Sequence, residues 1–461
     1  MKTKLLLLPW LLLLAACGGG DDGGETPPPA PDPDPVASVH CSITAPKQGA
    51  TVNPKVALEI RGEGSANYCT LGEAQLKIGQ SVIADVKSVP FTYQHTFPSN
   101  QAEGPLTISL LVKNTEKTLS ASSTITVTLK RPEVQRPSGV TYVVAKDGTG
   151  DYDSVQKAID ALKSNQSDRQ VIYIKAGTYH EKMLVPSNKT NITLIGEDAA
   201  TTILTYDDYA GKPLDTGGEL GTQNSASFTI KGKDFTAQSL TFQNPHKNLS
   251  GSSGTQAVAV CVMDDRATFY NCRMVGYQDT FYVKNHARVY CKECYIEGNV
   301  DFIFGDAILL CENCTLHCNR HDSVLTAAAE HTGCAFGFTF IDCKITHIEG
   351  KDFNNREFTT FYLGRPWKQN ARVVFIRCEE PAKLNEKAWR RMSEGVDAAL
   401  FAEYKCTGAG AAPERLSKRE MGGRQLTDEE ASAYTLQNIF AKSTYSGFSS
   451  DWTPPTKMAI Q

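Results

Sequence analysis

The chain has 461 residues, 41% hydrophobic and 21% charged, enough to bury a sizeable core and to fill two domains. Forty-seven basic against fifty-one acidic side chains give a formal net charge of -4. That balance lacks the global basic field which nucleic acid attracts, so nucleic acid is excluded as a partner.

At the N-terminus, Lys2 and Lys4 precede a leucine-rich run from Leu5 to Leu14 that ends in Leu14-Ala15-Ala16-Cys17. A basic start, an apolar stretch and small residues before a cysteine are similar to a bacterial lipoprotein signal. Residues 1–17 are expected to be signal and lipobox, with Cys17 lipidated as the mature N-terminus; several acyl chains anchor stably where one does not. This predicts an exported protein, lipid-anchored to a bacterial membrane at the outer membrane or cell surface. An ordinary secretory signal with an accidental cysteine is the alternative. Under either reading, export favours disulfides over zinc thiolates.

Residues 18–37, GGGDDGGE followed by PPPAPDPDP, cannot form a core and read as a solvated linker. Residues 38–132 show short alternating runs, VALEI, AQLKI, LTISLLV and STITVTL, between Gly, Pro and Asn turns. The pattern predicts a small β-sandwich, Ig-like, with no chemistry of its own. Cys41 and Cys69 are expected to bridge within it, two free thiols being the alternative.

After Arg131-Pro132 and Arg136-Pro137 the texture changes. TYVVAKDGTGDYDSVQKAIDALKS places a short strand before an amphipathic helix on which Val155, Ile159 and Leu162 recur at helical spacing. To about residue 380 short strands then follow one another with little helix, among them VIYIKAG, NITLIG, RVYCKECYIEG and GFTFIDCKITH. Repetition at roughly twenty residues predicts a stacked coil, each turn one rung of a parallel β-helix. The domain is expected over 139–461, and the whole chain is all-β.

Residues 291–314, CKECYIEGNVDFIFGDAILLCENC, carry two CxxC pairs at the spacing of a structural zinc site. Rung length offers a plainer cause. Gln256 and Gln278 are twenty-two positions apart, as are Asp279 and Asp301, while Cys272, Cys294 and Cys314 follow at twenty-two and twenty. Offsets near the repeat put like residues above one another, about 4.8 Å apart. Cys294 then lies over Cys314, and Cys291 over Cys311, and these pairs are expected as disulfides with no metal.

The motifs taken together resemble the pectinesterase (pectin methylesterase) family over 141–455. In family order they are VAKDGTGDYDSVQKAI, GTYHEK at 177–182, QAVAV at 256–260, GYQDTFY at 276–282, GNVDFIFG at 298–305 and LGRPW at 363–367. The tail follows too, with FAEYKCTGAGA and LTDEEASAYT. Phe281 stands where the family more often has leucine. The resemblance implies a right-handed parallel β-helix, carboxylic ester hydrolysis on pectin or methylated oligogalacturonides, no cofactor and a monomer. It does not reach the N-terminal sandwich.

Side-chain chemistry agrees with that resemblance. A carboxylate inside Val-Asp-Phe-Ile-Phe needs a cation to stay ionised, and Arg365 is the leading candidate partner for Asp301. An ionised Asp301 could attack an ester carbonyl, the nucleophilic role that the resemblance assigns to it. Asp279, one rung away, feels that charge and can hold a proton for the leaving methanol. Gln256 and Gln278 offer neutral donors to the oxyanion. By resemblance, Tyr282, Phe304, Trp367, Val300 and Thr222 meet the sugar chain. Alternative functions are an acyl-thioester hydrolase or another polysaccharide-active β-helix enzyme; a lyase would want a calcium cluster, and a glycosidase paired acids without the two glutamines.

Overall fold

The computed structural model describes residues 34–98, 101–330 and 332–460. Cys17, the signal and most of the 18–37 linker lie outside the described residues. The chain divides into two compact units, the larger of which takes in everything from Thr128 onward.

The N-terminal strands form two sheets. One orders Ser38–Ala45, Leu58–Asn67 and Phe91–His95; the other orders Thr51–Val52, Ser120–Leu129, Gly104–Asn114, Leu71–Ile78 and Ser81–Val86. Alternation in GPLTISLLVKN is the cause: Ile108, Leu110 and Val112 are fully buried while their neighbours are not. Leu110 and Val112 pack with Ala74 of the paired strand and meet Val39 of the other sheet, closing a β-sandwich core. The expected Cys41–Cys69 bridge is not formed. Both are free thiols; Cys41 turns its sulfur to the Leu110 carbonyl at 3.7 Å and Cys69 to the Ser38 carbonyl at 3.5 Å, acceptors on different strands.

The larger unit is a right-handed parallel β-helix. Among the described residues its strands lie in three parallel sheets of eleven, seven and seven; seven successive turns each send one strand to each sheet, and the four further strands of the largest sheet lie at its two ends. The helix Val155–Ala161, capped by the Ser154 side chain, buries Val155, Ala158 and Ile159. Two successive rungs run Phe281–Val283, Arg288–Lys292, Tyr295–Gly298 and Val300–Gly305, Ile308–Glu312, Thr315–Cys318. Tyr282 thereby pairs with Phe304, Cys291 with Cys311 and Ile296 with Leu316. Inside, Phe228, Phe242, Phe269 and Phe281 pack edge to face along the axis.

At one corner of the coil, Asn271, Glu293, Asn313, Asp342, Arg377 and Lys405 all hold left-handed backbone. The residue after each is a cysteine: Cys272, Cys294, Cys314, Cys343, Cys378 and Cys406. The stacking expected from the spacing is present, but the disulfides are not; Cys291, Cys294, Cys311 and Cys314 are free thiols. In-register side chains on neighbouring parallel strands run side by side rather than toward each other, so stacking alone does not supply the specific dihedral geometry of a disulfide. Within the column, three sulfurs instead donate to a carbonyl of the preceding rung, Cys294 to Phe269 at 3.4 Å, Cys314 to Cys291 at 3.6 Å and Cys343 to Cys311 at 3.4 Å. Among the described residues, no group of three or more His, Cys, Asp or Glu side chains is arranged to hold a metal ion.

Candidate active site

The site grows from a second corner of the coil. Asp279, Asp301 and Asp322 occupy it on successive rungs with φ of 66°, 51° and 62°, a left-handed conformation that aspartate tolerates better than most residues. Within GNVDFIFG the pairing slips between Val300 and Ile303, so Asp301 bulges from the ladder while Phe302 is fully buried. Gly298 makes the slip possible, because a Cβ there would fall 2.3 Å from the Phe302 Cβ. Gly305, at φ 126°, has the Val283 carbonyl oxygen 1.7 Å from where a Cβ would be.

Arg365, on the strand Phe361–Pro366, donates from Nε to Asp301 Oδ1 at 2.8 Å and from Nη2 to Oδ2 at 2.7 Å. The Asp279 amide bonds to the Val300 carbonyl at 3.0 Å, which fixes the two aspartates one rung apart. Both residues are 8% exposed. Burial pushes Asp301 above the ordinary carboxylate range against the pull of Arg365. Asp279 is pushed well above it, first by burial and then by the charge of Asp301. The sequence argument named that charge alone; desolvation is the larger cause. Asp301 therefore ionises before Asp279. On the next rung, Asp322 pairs with Arg390 at 3.1 Å.

Gln256 and Gln278 lie on adjacent rungs, the Ala257 amide bonding to the Gln278 carbonyl at 3.1 Å. The Thr255 hydroxyl donates to Gln278 Oε1 at 3.2 Å, which orients the amide and leaves its NH2 as the donor side. Tyr282 and Phe304 stack at 4.2 Å with 12° between their planes, and Trp367 is tilted against both. Tyr282 and Phe304 are 9% and 4% exposed, Trp367 37%. Trp367 lies just past the end of the Arg365 strand, its amide bonded to the Ala328 carbonyl at 2.9 Å.

One cavity of about 450 Å³ gathers Asp279, Asp301, Gln256, Gln278, Arg365, Tyr282, Phe304, Trp367 and Thr222. Val300 is half-buried and not among its lining residues; it contributes only the carbonyl that binds the Asp279 amide. Gln223, Ala327 and Met392 complete the walls. Sequence reasoning missed these three and Thr255. Thr255 abuts the QAVAV motif and Gln223 follows Thr222, but Met392 reaches the cavity from far along the chain and carried no signal. A buried ion pair, a carboxyl that keeps its proton above the ordinary carboxylate range, two neutral amide donors and an aromatic wall suit covalent attack on a neutral carbonyl with proton return to the leaving group.

A family model described as pectinesterase matches residues 141–443. The chain is 37% identical over 294 residues to Pectinesterase 31 of Arabidopsis thaliana, covering 62% of this chain and 88% of the relative. It is 34% identical over 302 residues to the putative pectinesterase/pectinesterase inhibitor 45 of the same plant, 64% of this chain and about half, 47%, of the relative. Among solved structures, a pectin methylesterase in complex with a hexasaccharide aligns at a TM-score of 0.58 and 29% identity, covering 69% of this chain and 100% of that one. The pectin methylesterase from carrot aligns at 0.57 and 32%, covering 68% and 95%.

Proposed function

The chain belongs to the pectinesterase family and is a carboxylic ester hydrolase, and from that premise we propose that it removes methyl esters from pectin by an aspartate-nucleophile mechanism. The observation that carries this reading is the two-pronged Arg365–Asp301 pair with Asp279 one rung away in the same cavity. Asp301, ionised and oriented by Arg365, attacks the ester carbonyl. Gln256 and Gln278 donate to the oxyanion as it forms. The intermediate collapses to an anhydride between Asp301 and the galacturonate carboxyl, and methoxide leaves with the Asp279 proton as methanol. Asp279, now a carboxylate, takes a proton from water; the hydroxide adds to the acyl carbon and releases galacturonate, restoring both aspartates. Tyr282, Phe304, Trp367 and Thr222 form the sugar-binding wall, supported by their place in the cavity lining. Methanol release from the purified protein on methylated pectin, beside polygalacturonate and an acyl thioester, tests the assignment. Turnover of the thioester alone would overturn it.

We further propose a lipoprotein form of the family with an added N-terminal domain. In it, residues 1–17 are signal and lipobox, 18–37 a linker, 38–132 the β-sandwich and 139–461 the esterase, acting as a monomer without cofactor. The support is Lys2, Lys4, the run Leu5 to Leu14 and Cys17. Export and anchoring at the outer membrane or cell surface follow from it. Fractionation of cells expressing wild type and Cys17→Ser is the test: the variant should leave the membrane fraction, and equal partition would sink the anchor.

A further inference from the structure

Two residues before Asp301 stands Asn299, fully buried, with Asn248 and Asn319 beside it at 4% and 6% exposure. None of the three lines the reaction cavity. Asn248 and Asn299 form a reciprocal amide pair: Asn248 Nδ2 donates to Asn299 Oδ1 at 2.9 Å, and Asn299 Nδ2 to Asn248 Oδ1 at 3.1 Å. The second hydrogen of Asn299 Nδ2 goes to Asn319 Oδ1 at 3.1 Å, and Asn299 Oδ1 also accepts from the Val300 amide at 2.8 Å. Two hydrogens and two lone pairs are all that an asparagine side chain offers, so Asn299 has none left over.

Each of these bonds leads to a segment that carries a reacting group. Val300, held at its N–H by Asn299, offers its carbonyl to the Asp279 amide at 3.0 Å, so the Asn299 side chain fixes the residue that joins the two aspartates. Asn319 Nδ2 donates to the Gly276 carbonyl at 2.9 Å and to Glu297 Oε1 at 3.0 Å, and Gly276 stands two residues before Gln278. Asn248 opens a segment without helix or strand that ends in Thr255, which orients Gln278, and in Gln256. A buried amide that loses its partner costs about 1–3 kcal/mol, which holds the trio to one arrangement. An apolar residue could fill the same space, but it could not fix the direction of the Val300 amide.

We propose that Asn299, with Asn248 and Asn319, is a positioning residue for the ester hydrolysis, the trio setting the two glutamine amides in register with the acid pair. The proposal rests on the esterase reading above and adds the residues that align its donors. The three asparagines act through Val300, Gly276 and the segment 248–256, not on the substrate.

The test is kcat and KM on methylated pectin, with the thermal midpoint, for wild type, Asn299→Ala, Asn248→Ala and the remote core truncation Leu194→Ala, each assayed well below its own midpoint. Asn299→Ala leaves the Val300 N–H and both neighbouring amides short of a partner; it should lower kcat about ten- to a hundredfold and change KM less than about twofold. Asn248→Ala removes only two of the four Asn299 bonds and should lower kcat about five- to tenfold, which carries the test if Asn299→Ala does not fold. Leu194, fully buried in the coil, should on truncation to alanine lower the midpoint and leave kcat unchanged. A wild-type kcat in either folded asparagine variant, or a loss confined to KM, makes the trio scaffold alone and overturns the proposal. So does a fall of kcat in Leu194→Ala as large as that in Asn248→Ala. Wild type inert on methylated pectin would instead sink the esterase reading.

Discussion

Arg365 holds both carboxylate oxygens of Asp301, at 2.8 and 2.7 Å, from sixty-four residues further along the chain. A fork of this kind fixes the carboxylate plane as well as its charge. Asp301 already lies above the ordinary range because burial outweighs the arginine. Removing Arg365 leaves burial unopposed and moves it further up, so the ionised form disappears over a wider acidic range. Arg365→Ala should therefore shift the acidic limb of the rate profile upward and cost about tenfold or more at pH 5. Trp367→Ala should keep the wild-type profile and raise KM about tenfold. A limb unmoved in Arg365→Ala would mean that another cation serves Asp301.

Asp301→Asn keeps the shape but can accept only one of the two Arg365 bonds, and it cannot form the acyl-enzyme. Turnover should fall about a thousandfold or more with little change in thermal midpoint. Methanol release near the wild-type rate would remove Asp301 as nucleophile.

Asp279 yields a stability prediction with a defined sign. Its folded-state carboxyl ionises well above the ordinary range. The stability it contributes is full below the ordinary carboxylate range and is lost as pH rises through the raised value. Asparagine mimics the protonated form at every pH. Asp279→Asn should be inactive yet more stable than wild type at pH 8, by on the order of 1 kcal/mol, with the gain vanishing near pH 4. Denaturant melts at the two pH values check it; equal gains at both would contradict the assignment.

Gln278 and Thr255 should behave as donor and positioner. Gln278→Leu removes the amide and should cost about a hundredfold in kcat. Thr255→Val removes only the hydroxyl that orients it, so its loss should be smaller and should not add to that of Gln278→Leu in the double variant. Full additivity in kcat would separate the two residues.

The β-helix was legible because its rungs repeat near the spacing of recognisable side chains, and the cysteines at 272, 294 and 314 do share one column. Spacing reports which residues stack; it does not report how far apart their sulfurs stay, and the disulfide expectation failed there. The acid pair, the glutamines and Arg365 were legible as motifs. Met392 was not, because the fold brings it to the cavity from a distant segment, and Val300 shares a motif with Asp301 without lining the cavity.

The thiol finding is itself testable. With no disulfide in the described cysteine columns, a reductant should leave the thermal midpoint unchanged, and the buried thiols should react with a thiol reagent only after denaturation. A fall of several degrees on reduction would show that bridges form after all.

The left-handed corners at Asp279, Asp301 and Asp322 change how side-chain deletions must be interpreted here. Alanine, ordinarily the neutral probe, has a Cβ and no polar group with which to bond locally, so at these positions it adds roughly 1 kcal/mol of backbone strain to whatever the carboxylate did. Glycine adopts the same conformation freely and lifts the strain as it removes the charge. The substitution that usually disturbs a scaffold most is, at this corner, the one that disturbs it least.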